Sequence, residues 1–353
     1  MDLTNYLLEE VRRHPSVTPQ DITKLCHQVA FGAEHMISDF VQAHSYFMEE
    51  YEATSSDDRP LAEYIGPTTC RVNLSAWKRL GLNPSWLWEL FIMSISYDPD
   101  NNYELYYNCT SQAGELAQAG RFPFSYAQWL EYKDYYGGLA GCPPVRHSEG
   151  YREKEKPAYR ILTDLSVAVL PIIEKLGGLG KGVIAIDGRA AAGKSTMARY
   201  LACVLDIWDL SCIEMDDFFL PSEMRTAERL ARPGGNIHHE RFAEEVLPHL
   251  RSGQAFKYRK YDCTCMDYGC RLKINPHPWR IVEGVYSCHP ALGDYMDVRV
   301  FLDVEPDEQQ GRIEKRNNPQ IAANYLSKWI PMEEAYFKAY NIRERADVVL
   351  SAN

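Results

Sequence analysis

One stretch of the chain restricts its fold more than any other. The run Gly182-Val-Ile-Ala-Ile-Asp187 is apolar and β-prone, and Gly188-Arg189-Ala190-Ala191-Ala192-Gly193-Lys194-Ser195-Thr196 follows it directly. The second piece fits G-x-x-x-x-G-K-[ST], in which glycines let the backbone curl so that its N–H groups converge on phosphate oxygens. A helical pattern over Ser195–Leu205 starts at the loop and would add the positive end of its dipole. Lys194 is then placed to reach β- and γ-phosphates, and the Ser195 hydroxyl to ligate Mg²⁺. A strand before and a helix after are the context this motif needs, so Gly188 through Thr196 are expected to bind ATP.

The sequence around the motif alternates. Strand candidates are Val183–Asp187, Cys212–Met215, Arg280–Glu283, Val298–Leu302 and Asp347–Leu350. Helical patterns lie at Ser195–Leu205, His239–Leu250, Pro306–Arg316 and Met332–Tyr340. Such alternation implies a mostly parallel five-stranded sheet covered on both faces, an α/β fold, over residues 156–353. Residues 1–155 read as an all-helical domain. Thr18-Pro19-Gln20-Asp21 is a helix start, and Ile22, Leu25, Cys26, Val29 and Ala30 follow at helical spacing. The Gly/Pro-rich loop Gly137–Pro144 and the charged run Arg152–Pro157 place the boundary near 155. Nothing in the first half, including Phe31–His35 and Cys70–Asn73, matches the phosphate loop in specificity.

A chain of 353 residues is long enough for two domains. Its net charge of −11 disfavours nucleic acid and anionic membrane surfaces as partners. The N-terminus has no basic region followed by an apolar run, and no stretch approaches the ~18 apolar residues of a membrane span. The ten cysteines therefore read as reduced thiols of a cytoplasmic protein. Cys263, Cys265 and Cys270 are spaced C-x-C-x4-C, which is not the paired spacing of a zinc site, and they read as free thiols. The sequence leaves a homo-oligomer open.

Four further segments follow the loop in a meaningful order: Met215-Asp216-Asp217-Phe218-Phe219, Tyr258-Arg259-Lys260-Tyr261-Asp262, Val282-Glu283-Gly284, and the helix from Gln310 to Arg316. Together with the loop they resemble the uridine kinase-like branch of P-loop kinases, which lies close to phosphoribulokinase and the bacterial pantothenate kinases. The resemblance covers roughly residues 180–353. It implies that Asp216 accepts the proton of the acceptor hydroxyl, with Asp217 the lesser candidate. It implies that Glu283 holds Mg²⁺ through water. It also implies that Arg312 and Arg316, four apart on one helix face, belong to a lid over the phosphates. Helix capping is the ordinary alternative for the carboxylates, and pairing with Glu308 and Glu314 for the arginines.

The acceptor positions carried over are Phe219, His238, Tyr258, Tyr261 and Met266. Two depart from the family pattern: His238 stands where uridine kinases carry a ribose-gripping Asp, and Met266 where they carry a base-contacting His. The resemblance thus implies an ATP- and Mg²⁺-dependent phosphotransferase acting on a small-molecule hydroxyl, with a nucleoside as leading acceptor. Pantothenate, a sugar or a sugar phosphate is the alternative acceptor. An ATP-binding regulatory module with little turnover is the alternative function.

Overall fold

The computed structural model describes residues 1–33, 39–95, 102–138, 145–207, 212–262 and 265–351. Cys263, Glu34, His35 and most of the Gly137–Pro144 loop, all named above, lie outside the described residues. The chain forms two compact units, Met1–Leu170 and Pro171–Asn353.

The first unit is mainly helical: α1 (Thr4–Arg13), α2 (Pro19–Phe31), α3 (Phe40–Ala53), α4 (Leu74–Arg79), α5 (Pro84–Met93), α6 (Asn102–Gln118), α7 (Tyr126–Gly137), α8 (Glu149–Glu155) and α9 (Asp164–Ala168). The start read at Thr18 is a capping box, with Asp21 Oδ2 accepting from the Thr18 N–H at 3.0 Å. The unit also carries an antiparallel sheet that the sequence did not announce, with β1 (Ala62–Tyr64), β2 (Thr69–Asn73) and β3 (Tyr159–Thr163) in that order. Two features hide it. β1 is three residues long, and β2 is buried on both faces, so neither displays an alternating pattern. This sheet also moves the boundary: β3 pairs with β2 from Thr69↔Thr163 to Asn73↔Tyr159, so the chain beyond 155 still belongs to the first unit. Beneath the sheet, Arg71 is fully buried and paired with Glu10 at 2.8 Å, and its remaining donors go to Gln28. A buried charge survives because its donors are satisfied in this way.

α10 (Leu170–Lys175) leads into the second unit, whose sheet has the order β10-β9-β4-β8-β5. Its strands are β4 (Gly182–Gly188), β5 (Ile213–Glu214), β8 (Trp279–Glu283), β9 (Val298–Asp303) and β10 (Val348–Ser351), all parallel. β6 (Phe256–Asp262) and β7 (Asp267–Ile274) form a separate antiparallel hairpin. β4 occupies the centre, and six of its seven residues are buried, as an apolar strand sandwiched between layers must be. The helices are α11 (Lys194–Val204), α12 (Ala227–Leu230), α13 (His239–Glu245), α14 (Leu247–Leu250), α15 (Pro306–Arg316), α16 (Pro319–Asn324) and α17 (Ile330–Tyr340). Ligands of open parallel sheets gather beyond the carboxyl ends of the strands. Here that edge carries the loop after β4, the turn after β5 and the end of β8.

Candidate active site

The loop between β4 and α11 is fixed by contacts only glycine permits at its start. Gly188 has φ +135°, and a Cβ there would lie 2.1 Å from the Leu302 carbonyl oxygen. The loop therefore packs directly on the backbone of β9. At its other end Gly193 adopts φ +89° and caps α11. Behind the loop, Asp187 is fully buried. Its carboxylate accepts from the Gly188 N–H at 2.7 Å, the Cys288 N–H at 2.9 Å, the Tyr286 N–H at 3.3 Å and the Tyr336 hydroxyl at 2.7 Å. Burial still pushes its pKa up, against the pull of those donors. One carboxylate thus ties the loop to the turn after β8 and to α17.

In front of the loop is a cleft of about 540 Å³, within the usual range for small-molecule sites. Lys194 reaches into it, and its ammonium donates to the Gly188 and Arg189 carbonyls at 3.0 and 2.8 Å. Ser195 Oγ donates to Glu283 Oε1 at 2.8 Å. Asp216 lies in a single 3₁₀ turn, Met215–Phe218, immediately after β5. Solvent reaches its carboxylate from the cleft, yet the surrounding walls strip away much of the bulk water. That desolvation raises its pKa, opposed by the charge of Lys194. Glu283 is likewise raised by burial, against its Ser195 hydrogen bond and Lys194.

These groups suit a hard divalent cation. Ser195 and Glu283 are adjacent oxygen donors, and the negative charges of Asp216 and Glu214 help to raise the pKa of Glu283, an excess of negative charge that a cation relieves. Mg²⁺ takes one or two protein oxygens and completes its shell with water and phosphate.

The sequence-derived residues divide into those that line the cleft and those that do not. Ala190, Ala191, Gly193, Lys194, Ser195, Thr196, Asp216, Phe219, Met266, Glu283 and Arg316 line it. Gly188 and Ala192 shape the loop from behind, and the Arg189 side chain turns to Asp303 at 2.6 Å and to Glu334. Arg312 is a correction. It pairs with Glu308 at 2.7 Å and braces the Ala191 carbonyl at 3.3 Å instead of lining the cleft. The i−4 carboxylate has captured it, the alternative its sequence spacing allowed.

Tyr258 is another correction. It is buried, and its hydroxyl donates to Asp217 Oδ2 at 2.8 Å. Asp217 is itself buried and paired with Lys260 at 3.0 Å, so it is a structural anchor that leaves Asp216 facing the cleft. His238 stands at the N-cap position of α13 with Nδ1 3.4 Å from the Tyr268 hydroxyl and does not line the cleft. Tyr261 is buried behind Met266, whose sulfur is 3.9 Å from its hydroxyl.

Other cleft residues carried no sequence signal. Arg225, Leu230, Asn236, Val285 and Tyr286 form one wall. Tyr325, Lys328, Trp329, Met332 and Glu333 form another, on α17 and the π-turn Tyr325–Trp329 before it. A π-turn was itself a usable hint only once the backbone was seen, since such turns concentrate at functional sites. Glu333 is buried, accepts the Ala190 N–H at 3.0 Å, and is pushed up to about 7 by burial, against the charge of Lys194.

No protein-family model matches the chain. Its relatives include a pantothenate kinase of Streptomyces avermitilis, 27% identical over 149 residues, or 36% of this chain and 44% of that one. Uridine kinase-like protein 4 of Arabidopsis thaliana is 29% identical over 146 residues, covering 38% and 30%. A uridine kinase of Chlamydia pneumoniae is 26% identical over 188 residues, covering 48% and 82%. Over up to 48% of its length the chain is similar to uridine kinases and pantothenate kinases. The match spans less than half the length of the first two relatives. Of the two departures from the uridine kinase pattern, Met266 lines the cleft and His238 does not. No helix among the described residues is long and apolar enough to cross a membrane.

Proposed function

We propose that the protein is an ATP- and Mg²⁺-dependent phosphotransferase that phosphorylates a hydroxyl of a small molecule. The observation that carries this reading is the convergence of Lys194, Ser195, Asp216 and Glu283 on one cleft. In this reading the loop amides and Lys194 hold the phosphates, and Ser195 and Glu283 hold Mg²⁺. Mg²⁺ bound there offsets the charge that spreads over the transferring phosphoryl oxygens. Asp216 orients the acceptor hydroxyl and takes its proton as the new P–O bond forms. Its raised pKa makes it a stronger base than an ordinary aspartate. Arg316 and Lys328 bring further positive charge to the same cleft.

The test is a metabolite-library screen with purified protein, ATP and Mg²⁺, reading ADP formation and product mass. The reading expects a phosphorylated product with at least one alcohol. ATP binding with no phosphorylated product from any acceptor class would leave a nucleotide-binding module in its place.

A further inference from the structure

The basic residues of the cleft fall into two groups. Lys194, Arg316 and Lys328 belong to the loop and to the wall formed by α15 and the π-turn. Lys194 and Arg316 both act electrostatically on Asp216. Arg225 stands apart, on the wall made by the segment between Phe219 and Asn236. Its guanidinium is aimed: Nε donates to the Leu220 carbonyl at 2.8 Å, and one terminal nitrogen lies 3.4 Å from the Tyr261 hydroxyl. The group also sits 6.0 Å from the Tyr261 ring centroid.

The neighbouring cations are neutralised. Arg229 pairs with Glu240, Arg232 with Glu228, Arg241 and Arg259 with Glu245, and Lys260 with Asp217. Among the described residues, Arg225 has no carboxylate within ion-pair distance. A guanidinium held by two contacts, facing a cleft and lacking a counter-ion, is arranged to receive an anion. The surface beside it is largely apolar. Phe219, Leu230 and Met266 line the cleft with it, and Asn236 and Tyr286 are the polar side chains that accompany them, fewer hydrogen-bonding groups than a polyol or ribose would engage.

We infer that the phosphate acceptor is an anionic alcohol, with a carboxylate or phosphate held by Arg225 and a largely apolar skeleton lying on Phe219, Leu230 and Met266. This inference rests on the kinase reading above. The acceptor hydroxyl would then meet Asp216. Its oxygen bonds to the γ-phosphorus, the bond from that phosphorus to the β,γ-bridging oxygen breaks, ADP leaves, and the hydroxyl proton passes to the Asp216 carboxylate.

The experiment compares matched pairs at fixed ATP and Mg²⁺: pantothenate with pantothenyl alcohol for a carboxylate, and ribulose 5-phosphate with ribulose for a phosphate. Uridine serves as a neutral nucleoside. The expected result is a kcat/KM at least roughly tenfold higher for one anionic member than for its neutral partner, the loss that removing a charge-assisted contact produces. Arg225→Ala should erase that ratio mainly through KM, and Arg225→Lys should restore part of it. Calorimetric ATP affinity should be the same in all three proteins. Failure of the wild-type protein to bind ATP overturns the kinase reading itself. ATP binding accompanied by a preference for a neutral acceptor, by no turnover of either anionic class, or by an anionic-to-neutral ratio that survives Arg225→Ala, overturns the anion assignment alone.

Discussion

Glu333 Oε2 accepts the Ala190 backbone N–H at 3.0 Å, so a buried carboxylate from α17 rests against the phosphate-binding loop. Asp187 and Asp216 add negative charge around it, and Lys194 is the cation that opposes them. The loop is built to collect anions, and this residue adds one of the wrong kind for ATP. Burial resolves the conflict by favouring the protonated form.

The first prediction is therefore a pH dependence. Glu333 is pushed up to about 7, so below that pH it is neutral, and above it the carboxylate repels the triphosphate. ATP affinity should fall as pH rises from 6 to 8, by no more than about tenfold per pH unit for a single linked proton. Calorimetry in buffers of different ionisation enthalpy at pH 7.5 should detect proton uptake on binding, and Glu333→Gln should abolish it. The stability sign is opposite to that of an ordinary ion-paired acid. A carboxyl raised in the folded state costs nothing below its unfolded value and destabilises increasingly as pH climbs to about 7. Glu333→Gln should thus raise Tm at pH 8 more than at pH 5. Identical pH profiles for the two proteins would refute the role given to this carboxyl.

The second prediction concerns Lys194. Among the described residues its ammonium hydrogen-bonds only to the Gly188 and Arg189 carbonyls. Lys194→Ala should lower kcat by ~10²-fold or more, as removal of a preorganised charge donor does, with little change in Tm. A fully active variant would show that the phosphates lie elsewhere.

The two neighbouring aspartates should separate cleanly. Asp216→Asn should reduce kcat by at least ~10²-fold, the lower end of general-base contributions, and leave ATP affinity and Tm nearly as they were. Asp217→Asn should do the reverse. It weakens the pairing with Lys260 and the acceptor for the buried Tyr258 hydroxyl, and hydrogen bonds to charged groups are worth roughly 1.5–3 kcal/mol each. Denaturant melts and steady-state kinetics on both variants decide it. A larger kcat loss for Asp217→Asn than for Asp216→Asn would transfer the base role.

What the sequence made legible follows from how each group reaches the cleft. Lys194 and Ser195 are contiguous with the glycines that aim them, so the motif itself states their position. Glu283 ends an apolar strand, and the end of a parallel strand is already a site position. Strand and helix bounds in this unit were accessible because buried strands leave uninterrupted apolar runs.

Arg225 and Glu333 arrive through tertiary packing. No local pattern distinguishes Arg225 from Arg229, four residues on, which is tied to Glu240. Tyr258 and His238 mislead for a related reason. Their motif positions are recognisable, but side-chain direction on the hairpin and at the start of α13 is set by partners such as Asp217 and Tyr268. The hairpin has no sequence signature because β7 is mostly exposed and carries no apolar alternation.

The last prediction separates the two arginines of α15. Spacing alone puts Arg312 and Arg316 on one face, equally placed to clamp phosphates. The structure assigns them different surroundings. Arg312 is held by Glu308 four residues earlier and by the Ala191 carbonyl, so part of its charge is already matched and its contact with the loop is to backbone. Arg316 lines the cleft, lies against Tyr325, and lowers the pKa of Asp216. A cation that already senses the proposed base is placed to sense the phosphoryl group between them, and charge stabilisation of that kind is realised in the transition state. Arg316→Ala should therefore cut kcat by roughly 10²-fold with a smaller change in ATP affinity. Arg312→Ala removes an exposed helix pair worth a few tenths of a kcal/mol and one brace on the loop, and should cost less than about fivefold in kcat, near the effect of 1 kcal/mol on a rate. Equal losses in the two variants, measured at saturating ATP, would mean that α15 moves on nucleotide binding far enough to bring Arg312 over the phosphates.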